Sequence, residues 1–206
     1  MKLKICGMKY PENIKDVASL HPDYIGFIFY EESKRNFDKE IPKIANKIKK
    51  TGVFVNATKD FILEKAEKYN LRAVQLHGGE SPEFCKALFG NKIEVIKAFS
   101  VSDDFDFSLL TPYETVCDYF LFDTKGKDRG GNGLVFDWKI LKQYTFDKPY
   151  FLSGGIGLEE VDNLKLFLGS DESKHCYAVD VNSKFEFEAG LKNTIQLKSF
   201  IQHVNF

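Results

Sequence analysis

Tyr150-Phe-Leu-Ser-Gly-Gly-Ile-Gly-Leu-Glu-Glu-Val-Asp-Asn-Leu164 carries an apolar run, Tyr150 to Leu152, through a glycine-rich turn into the helix-forming run Leu158 to Leu164. An apolar run without alternation suits a strand covered on both faces. Strand, tight turn and helix in that order make a βα unit, whose successive strands pair in parallel. The pattern repeats outward in both directions. Apolar runs stand at Leu3 to Cys6, Tyr24 to Phe29, Gly52 to Val55, Ala73 to Leu76, Glu94 to Ala98, Tyr119 to Phe122 and Tyr177 to Val181. With Tyr150 to Leu152 they give eight strands.

Between the strands lie segments of helical periodicity. Ile41 to Ile48 and Phe61 to Tyr69 are two, Ser81-Pro82 is an opening signal for another, and Leu191 to Val204 supplies a final helix. Asp103 to Leu110 reads as a short helix or an irregular connection. Eight units of about 25 residues each sit near the minimum length for βα repeats, which points to a single (β/α)8 TIM barrel spanning residues 1–206. A flavodoxin-like sheet is the alternative, with fewer strands to place.

The 206 residues are 43% hydrophobic and 29% charged with a formal net charge of −1, enough apolar material for a full core and no excess charge to draw nucleic acid or a membrane surface. The longest apolar stretch, Tyr24 to Tyr30, is far too short to span a bilayer, and a cytoplasmic location is expected. Cysteines at 6, 85, 117 and 176 are scattered with no C-x-x-C pair, which fits reduced thiols and argues against a zinc site.

In such a barrel the C-terminal strand ends converge on one mouth, so Cys6, Arg35, His77, Asp123, Ser153 and Asp180 would approach one cavity. Each also has a plainer reading. Cys6 could be a small buried hydrophobe; yet Lys4, two residues earlier on the same strand, points to the same side and could stabilise a thiolate. Asp123 could cap the turn that follows, or, at the lip of an apolar barrel near other anions, have a raised pKa and hold a proton to donate. A thiolate and a carboxylic acid facing one substrate form a general base and general acid pair.

Gly154-Gly155 could be only a tight turn. Ahead of a helix, however, glycines let backbone N–H groups approach an anion, and Asn182 and Ser183 offer donors from the neighbouring loop, where barrels of this kind hold phosphate. Arg35 could be a surface charge, or fork onto a carboxylate opposite the phosphate. His77 is expected to face the mouth as a polar loop residue. The charged, glycine-rich run Thr124 to Gly133 is expected to move and close over a ligand, with Asp123 at its hinge.

Taken in order, these segments resemble the phosphoribosylanthranilate isomerase family of tryptophan biosynthesis. The resemblance rests on Lys4-Ile-Cys-Gly7, Gly26-Phe-Ile-Phe29 with Ser33-Lys-Arg35, Gly52-Val-Phe-Val-Asn56, Val74-Gln-Leu-His-Gly78, Leu121-Phe-Asp-Thr124, Gly130-Gly-Asn-Gly133 with Phe136-Asp-Trp138, Leu152-Ser-Gly-Gly155 and Val179-Asp-Val-Asn-Ser183. It implies a phosphate-binding barrel without cofactor or metal, a small-molecule substrate (phosphoribosylanthranilate), and a monomer or homodimer.

The resemblance further implies that Cys6 is the base and Asp123 the acid of an Amadori rearrangement. Arg35 would engage the anthranilate carboxylate. Gly154, Gly155 and Ser183, with Asn182, would hold the phosphate, Asp180 would lie beside the ribose, and His77 is expected among the substrate-binding residues. Two positions depart from the family pattern: Asn132, and Lys184 where glycine is usual, so that the eighth loop is expected to bend differently or to add a charge to the phosphate site. Rival barrels fit less well. A metal-dependent epimerase needs more histidines at strand ends than His77 alone, an indoleglycerol-phosphate synthase-like barrel needs catalytic lysine and glutamate there, and a non-catalytic sugar-phosphate sensor would need neither Cys6 nor Asp123.

Overall fold

In the computed structural model, which describes residues 1–90, 92–124 and 136–206, the eight runs close into one parallel barrel. The strands are β1 (Lys2–Ile5), β2 (Tyr24–Ile28), β3 (Lys49–Phe54), β4 (Ala73–Leu76), β5 (Glu94–Val101), β6 (Tyr119–Thr124), β7 (Tyr150–Leu152) and β8 (Cys176–Val181). β8 returns to β1 with Lys4 opposite Asp180, which closes the ring and removes both sheet edges.

Strand alternation sorts the apolar residues into two clusters. Tyr24, Ala73, Ile96, Ala98, Leu121, Phe151 and Ala178 meet inside the barrel, while Leu3, Ile5, Ile25, Phe27, Val74, Leu76, Val95, Phe120 and Phe122 pack outward against the surrounding elements. The N-terminal end is plugged by rings from the starts of strands. Tyr119 stacks on Tyr177 at 4.7 Å between centroids, and the Tyr24 hydroxyl bonds to Tyr177 (3.2 Å) and to Glu94 (3.0 Å), which also pairs with Lys49. With that end sealed, the C-terminal mouth is where ligand chemistry can sit.

Among the described residues the outer layer has fewer than eight α-helices. α1 (Pro11–Ala18), α2 (Lys59–Tyr69), α3 (Pro82–Leu88), α4 (Val161–Leu168) and α5 (Thr194–Val204) are α-helical, whereas Phe107–Tyr113 and Trp138–Gln143 form 3₁₀ turns. Thr58, Ser81 and Asn193 cap α2, α3 and α5 by accepting the N–H of Phe61, Phe84 and Gln196.

Ile41 to Ile48 does not form the expected helix. Pro42 lacks an N–H, β3 begins directly after Ile48, and a segment of about two turns cannot sustain a helix unless packing rewards it. Ile41 and Ile44 instead lie against the core from an extended loop. Asp103 to Leu110 resolves as an irregular connection into the first 3₁₀ turn. The run Leu191 to Val204 divides: Leu191–Lys192 (β10) pairs with Glu186–Glu188 (β9) as a hairpin, and the helix starts only at Thr194. The expected lid, Thr124 to Gly133, lies beyond its first residue outside the described residues, as does Asn132. Among the described residues no helix is long and apolar enough to cross a membrane.

Candidate active site

Cys6 follows β1 directly and its N–H bonds to the carbonyl of Val181, continuing the ladder one residue past the strand. The thiol is buried against the backbone of β2. A Cβ on Gly26 would stand 2.7 Å from Sγ, so only glycine leaves room for it. Burial pushes the Cys6 thiol up. The Lys4 and Lys192 ammonium groups pull against that shift, and the Asp180 carboxylate adds to it. The expected thiolate stabilisation by Lys4 is therefore present but outweighed, because full burial of the thiol costs the thiolate more than the lysines return.

The acceptors of Lys4 define the floor of the mouth. Lys4 Nζ donates to Asp180 Oδ2 at 2.5 Å and, across the lumen, to Gln75 Oε1 at 2.7 Å. Burial disfavours the Lys4 charge, but Asp180 and Cys6 outweigh it and hold the ammonium above its ordinary range. Burial lifts Asp180, against the pull of Lys4 and with some help from Asp123. Its second oxygen, Oδ1, is buried without a hydrogen-bond partner among the described residues. A buried carboxylate oxygen left open at a strand end retains the capacity to accept a hydrogen bond.

Gln75 passes the chain on. Its Nε2 lies 2.8 Å from His77 Nδ1, and His77 Nε2 stands 3.4 Å from Asp123 Oδ2. The other oxygen, Asp123 Oδ1, accepts the N–H of Thr124 at 3.0 Å. Asp123 thus makes the local turn contact and still presents its second oxygen to the mouth. The loop that carries His77 is fixed from below by Glu80, which accepts the N–H groups of Asn56 and Gly78 and pairs with the buried Lys97 at 3.2 Å.

On the opposite side Arg35 sits in a turn that folds back along β2, where Phe37 N–H bonds to Ile28 and its ring packs on Phe27. The guanidinium is held edge-on by Glu186 through Nε and Nη2. Glu186 also takes Lys192 Nζ at 2.6 Å, and the same ammonium bonds to Asn182 Oδ1 at 2.6 Å. Lys192 is fully buried, which lowers its pKa to about 8 against the pull of Glu186.

Gly154 and Gly155 both adopt positive φ (96° and 64°) between β7 and the 3₁₀ turn Leu158–Glu160 that leads into α4. A Cβ on Gly154 would come within 2.2 Å of Thr124 Oγ1 and 2.5 Å of its nitrogen. Asn182 and Ser183 open the turn after β8. Lys184, placed where glycine is usual, lies within that 3₁₀ turn and needs no positive φ. Its Nζ pairs with Glu159 at 2.6 Å, joining the two glycine-side loops.

Every residue expected at the mouth therefore lies at a C-terminal strand end or in the loop beyond it. Hydrogen bonds link Asp180 through Lys4 and Gln75 to His77, whose Nε2 stands 3.4 Å from Asp123, and a second network joins Arg35 and Asn182, with Cys6 between the two lysines. Gln75, Glu186 and Lys192 were not singled out by the sequence reading. Strand alternation does place Gln75 in the lumen two residues before His77, whereas nothing in the charged hairpin Glu186 to Lys192 distinguishes it from solvated surface.

Residues 3–203 match the family model described as N-(5'-phosphoribosyl)anthranilate (PRA) isomerase. The chain is 44% identical to the N-(5'-phosphoribosyl)anthranilate isomerase of Parabacteroides distasonis, over 99% of this chain and 93% of that one. The crystal structure of phosphoribosyl anthranilate isomerase from Thermotoga maritima superposes with a TM-score of 0.84 at 32% identity, covering 100% of this chain and 98% of that one. A phosphoribosyl anthranilate isomerase solved in complex with reduced 1-(o-carboxyphenylamino)-1-deoxyribulose 5-phosphate superposes with a TM-score of 0.79 at 31% identity, with the same coverage.

Proposed function

The chain belongs to the phosphoribosylanthranilate isomerase family, aldose-ketose isomerases of tryptophan biosynthesis, and we propose that Cys6 is its general base and Asp123 its general acid. The observation that carries this reading is the unbroken contact chain Asp180–Lys4–Gln75–His77–Asp123 across the mouth, with Cys6 against Lys4 at its other end. Asp123 near the end of β6 and Cys6 directly after β1 stand at the same end of the barrel, which supports the pairing.

The protonated Asp123 carboxyl gives its proton to the furanose ring oxygen of phosphoribosylanthranilate. The C1–O bond breaks, and the anilino nitrogen supplies the electron pair for a C1=N iminium. Cys6 then takes the proton from C2, and the electron pair moves through C1 to nitrogen to give an enolamine. Protonation of C1 and loss of the O2 proton produce the ketone. Order matters, because the Cys6 thiol is pushed up at rest. The iminium charge formed in the first step favours the thiolate needed in the second.

The two ends of the substrate orient this chemistry. The ligand of the solved relative carries a carboxylate at one end and a phosphate at the other. Arg35 suits the carboxylate, with its Nε and Nη2 edge taken by Glu186 and Nη1 left to an incoming anion. The backbone of Gly154, Gly155 and Ser183, with Asn182, suits the phosphate, Asp180 Oδ1 suits a ribose hydroxyl, and His77 lines the sugar beside Asp123.

Loss of anthranilate-type fluorescence on adding the protein to freshly generated phosphoribosylanthranilate tests the reading, with Cys6→Ala and Asp123→Asn alongside. Each substitution should lower kcat by about 10²-fold or more while leaving product-analogue binding intact. If Cys6→Ala retained more than about a tenth of kcat, the base would be another group.

A further inference from the structure

Lys4 fixes more than its two acceptors. An ammonium has three donors and no acceptor, so the Gln75 amide must turn Oε1 toward it. The amide nitrogen is then necessarily the atom 2.8 Å from His77 Nδ1. An NH₂ group only donates, so Nδ1 must accept, and the imidazole proton resides on Nε2, the nitrogen that faces Asp123. A flipped amide would set N–H groups against the ammonium, which Asp180 holds in place.

We propose that Gln75 is a positioning residue for the acid: by linking Lys4 to Nδ1, it keeps His77 as the neutral Nε2–H tautomer, which turns an N–H toward Asp123 instead of facing it as a cation. The role rests on the reading of Asp123 as the proton donor. An imidazolium at this distance would hold Asp123 as its carboxylate and remove the proton that opens the ring. A neutral N–H orients the carboxyl group without that cost.

The other charged groups around His77 are already committed. Asp180 on β8 is tied to Lys4 on β1, and Lys97 on β5 is paired with Glu80 in the loop of His77 itself. Asp123 on β6 is the partner to which the ring responds.

Side-chain ¹⁵N NMR of the histidines in the whole protein, assigned with His77→Asn, reads the tautomer without turnover. Nδ1 of His77 should resonate as an unprotonated nitrogen and Nε2 as a protonated one at neutral pH. An Nδ1–H tautomer or an imidazolium there would overturn the proposal.

Gln75→Glu replaces the donor with an acceptor and should draw a proton onto Nδ1. The limb on which kcat falls with rising pH should then move about one pH unit or more to the acid side, since an opposite charge at this range shifts a carboxyl that way. Gln75→Met, lacking both contacts, should give mixed tautomers and a lower kcat with little change in KM. Imidazolium formation in Gln75→Glu with an unmoved pH limb would overturn the positioning role. Failure of the isomerase reading shows differently, as a wild type without turnover whose His77 still carries its proton on Nε2.

Discussion

Arg35 and Glu186 meet edge to edge, with Nε 3.0 Å from Oε1 and Nη2 2.6 Å from Oε2, and both side chains are largely withdrawn from solvent. A bidentate pair fixes the guanidinium plane before any ligand arrives, and such preorganisation reduces the entropy lost on binding. Glu186 is drawn upward by burial but held below the usual carboxylate range by Arg35 and Lys192.

If Arg35 anchors the carboxylate as proposed, Arg35→Ala should raise KM with little change in kcat. Glu186→Gln should raise KM as well, although the arginine remains. It should also lower the unfolding free energy by about 3 kcal/mol or more, since it leaves two buried cations without their anion. Steady-state kinetics and denaturant unfolding of both variants check this. An unchanged KM in Glu186→Gln would show that Arg35 needs no support.

Gly26→Ala acts on the thiol through shape alone. The added methyl would sit 2.7 Å from Cys6 Sγ and 3.1 Å from its Cα, so either the strand or the thiol must move. If Cys6 is the base and the phosphate and carboxylate bind where proposed, kcat should fall by about 10²-fold, as expected for a base moved out of line by about an ångström, with KM nearly constant. Loss of affinity at unchanged kcat would place Gly26 in binding instead.

Gly154→Ala carries two penalties. Its φ of 96° disfavours any side chain, and the methyl would overlap Oγ1 and N of Thr124, the residue after Asp123. The variant should lose affinity for substrate and for inorganic phosphate as a competitive inhibitor, and it should lower kcat through Asp123. If phosphate inhibition were unaltered, the glycine pair would be a structural turn and no cradle.

The barrel was legible because strands covered on both faces must be apolar throughout, and eight such runs leave few topologies. Cys6, Asp123 and Asp180 followed from their places at strand ends. The missing helix at Ile41 to Ile48 was not legible, because apolar spacing over eight residues records only which side chains turn inward, and a loop can satisfy that as well as a helix. Lys192 was hidden for another reason. It reads as the second residue of the final helix expected over Leu191 to Val204, and only the fold carries its ammonium to Asn182 and Glu186. Interior cations on a long flexible stem leave no periodic trace in a sequence.

That buried lysine gives a pH dependence of definite sign. In the unfolded chain Lys192 keeps its ordinary value of 10.5, whereas burial lowers it to about 8 in the fold. Between these values the unfolded state binds the proton and the folded state does not, so stability from this group rises with pH across that window. Below about pH 8 the cost of charging the site is fully present, and above 10.5 it has vanished. The total change is on the order of 3 kcal/mol. Lys192→Met removes the group, so the stability difference between wild type and variant cancels the other titrations. Measured by urea unfolding from pH 7 to pH 10.5, that difference should shift in favour of the wild type as pH rises. A shift the other way would mean that Glu186 and Asn182 more than repay the burial, and that Lys192 stabilises the fold as an ammonium.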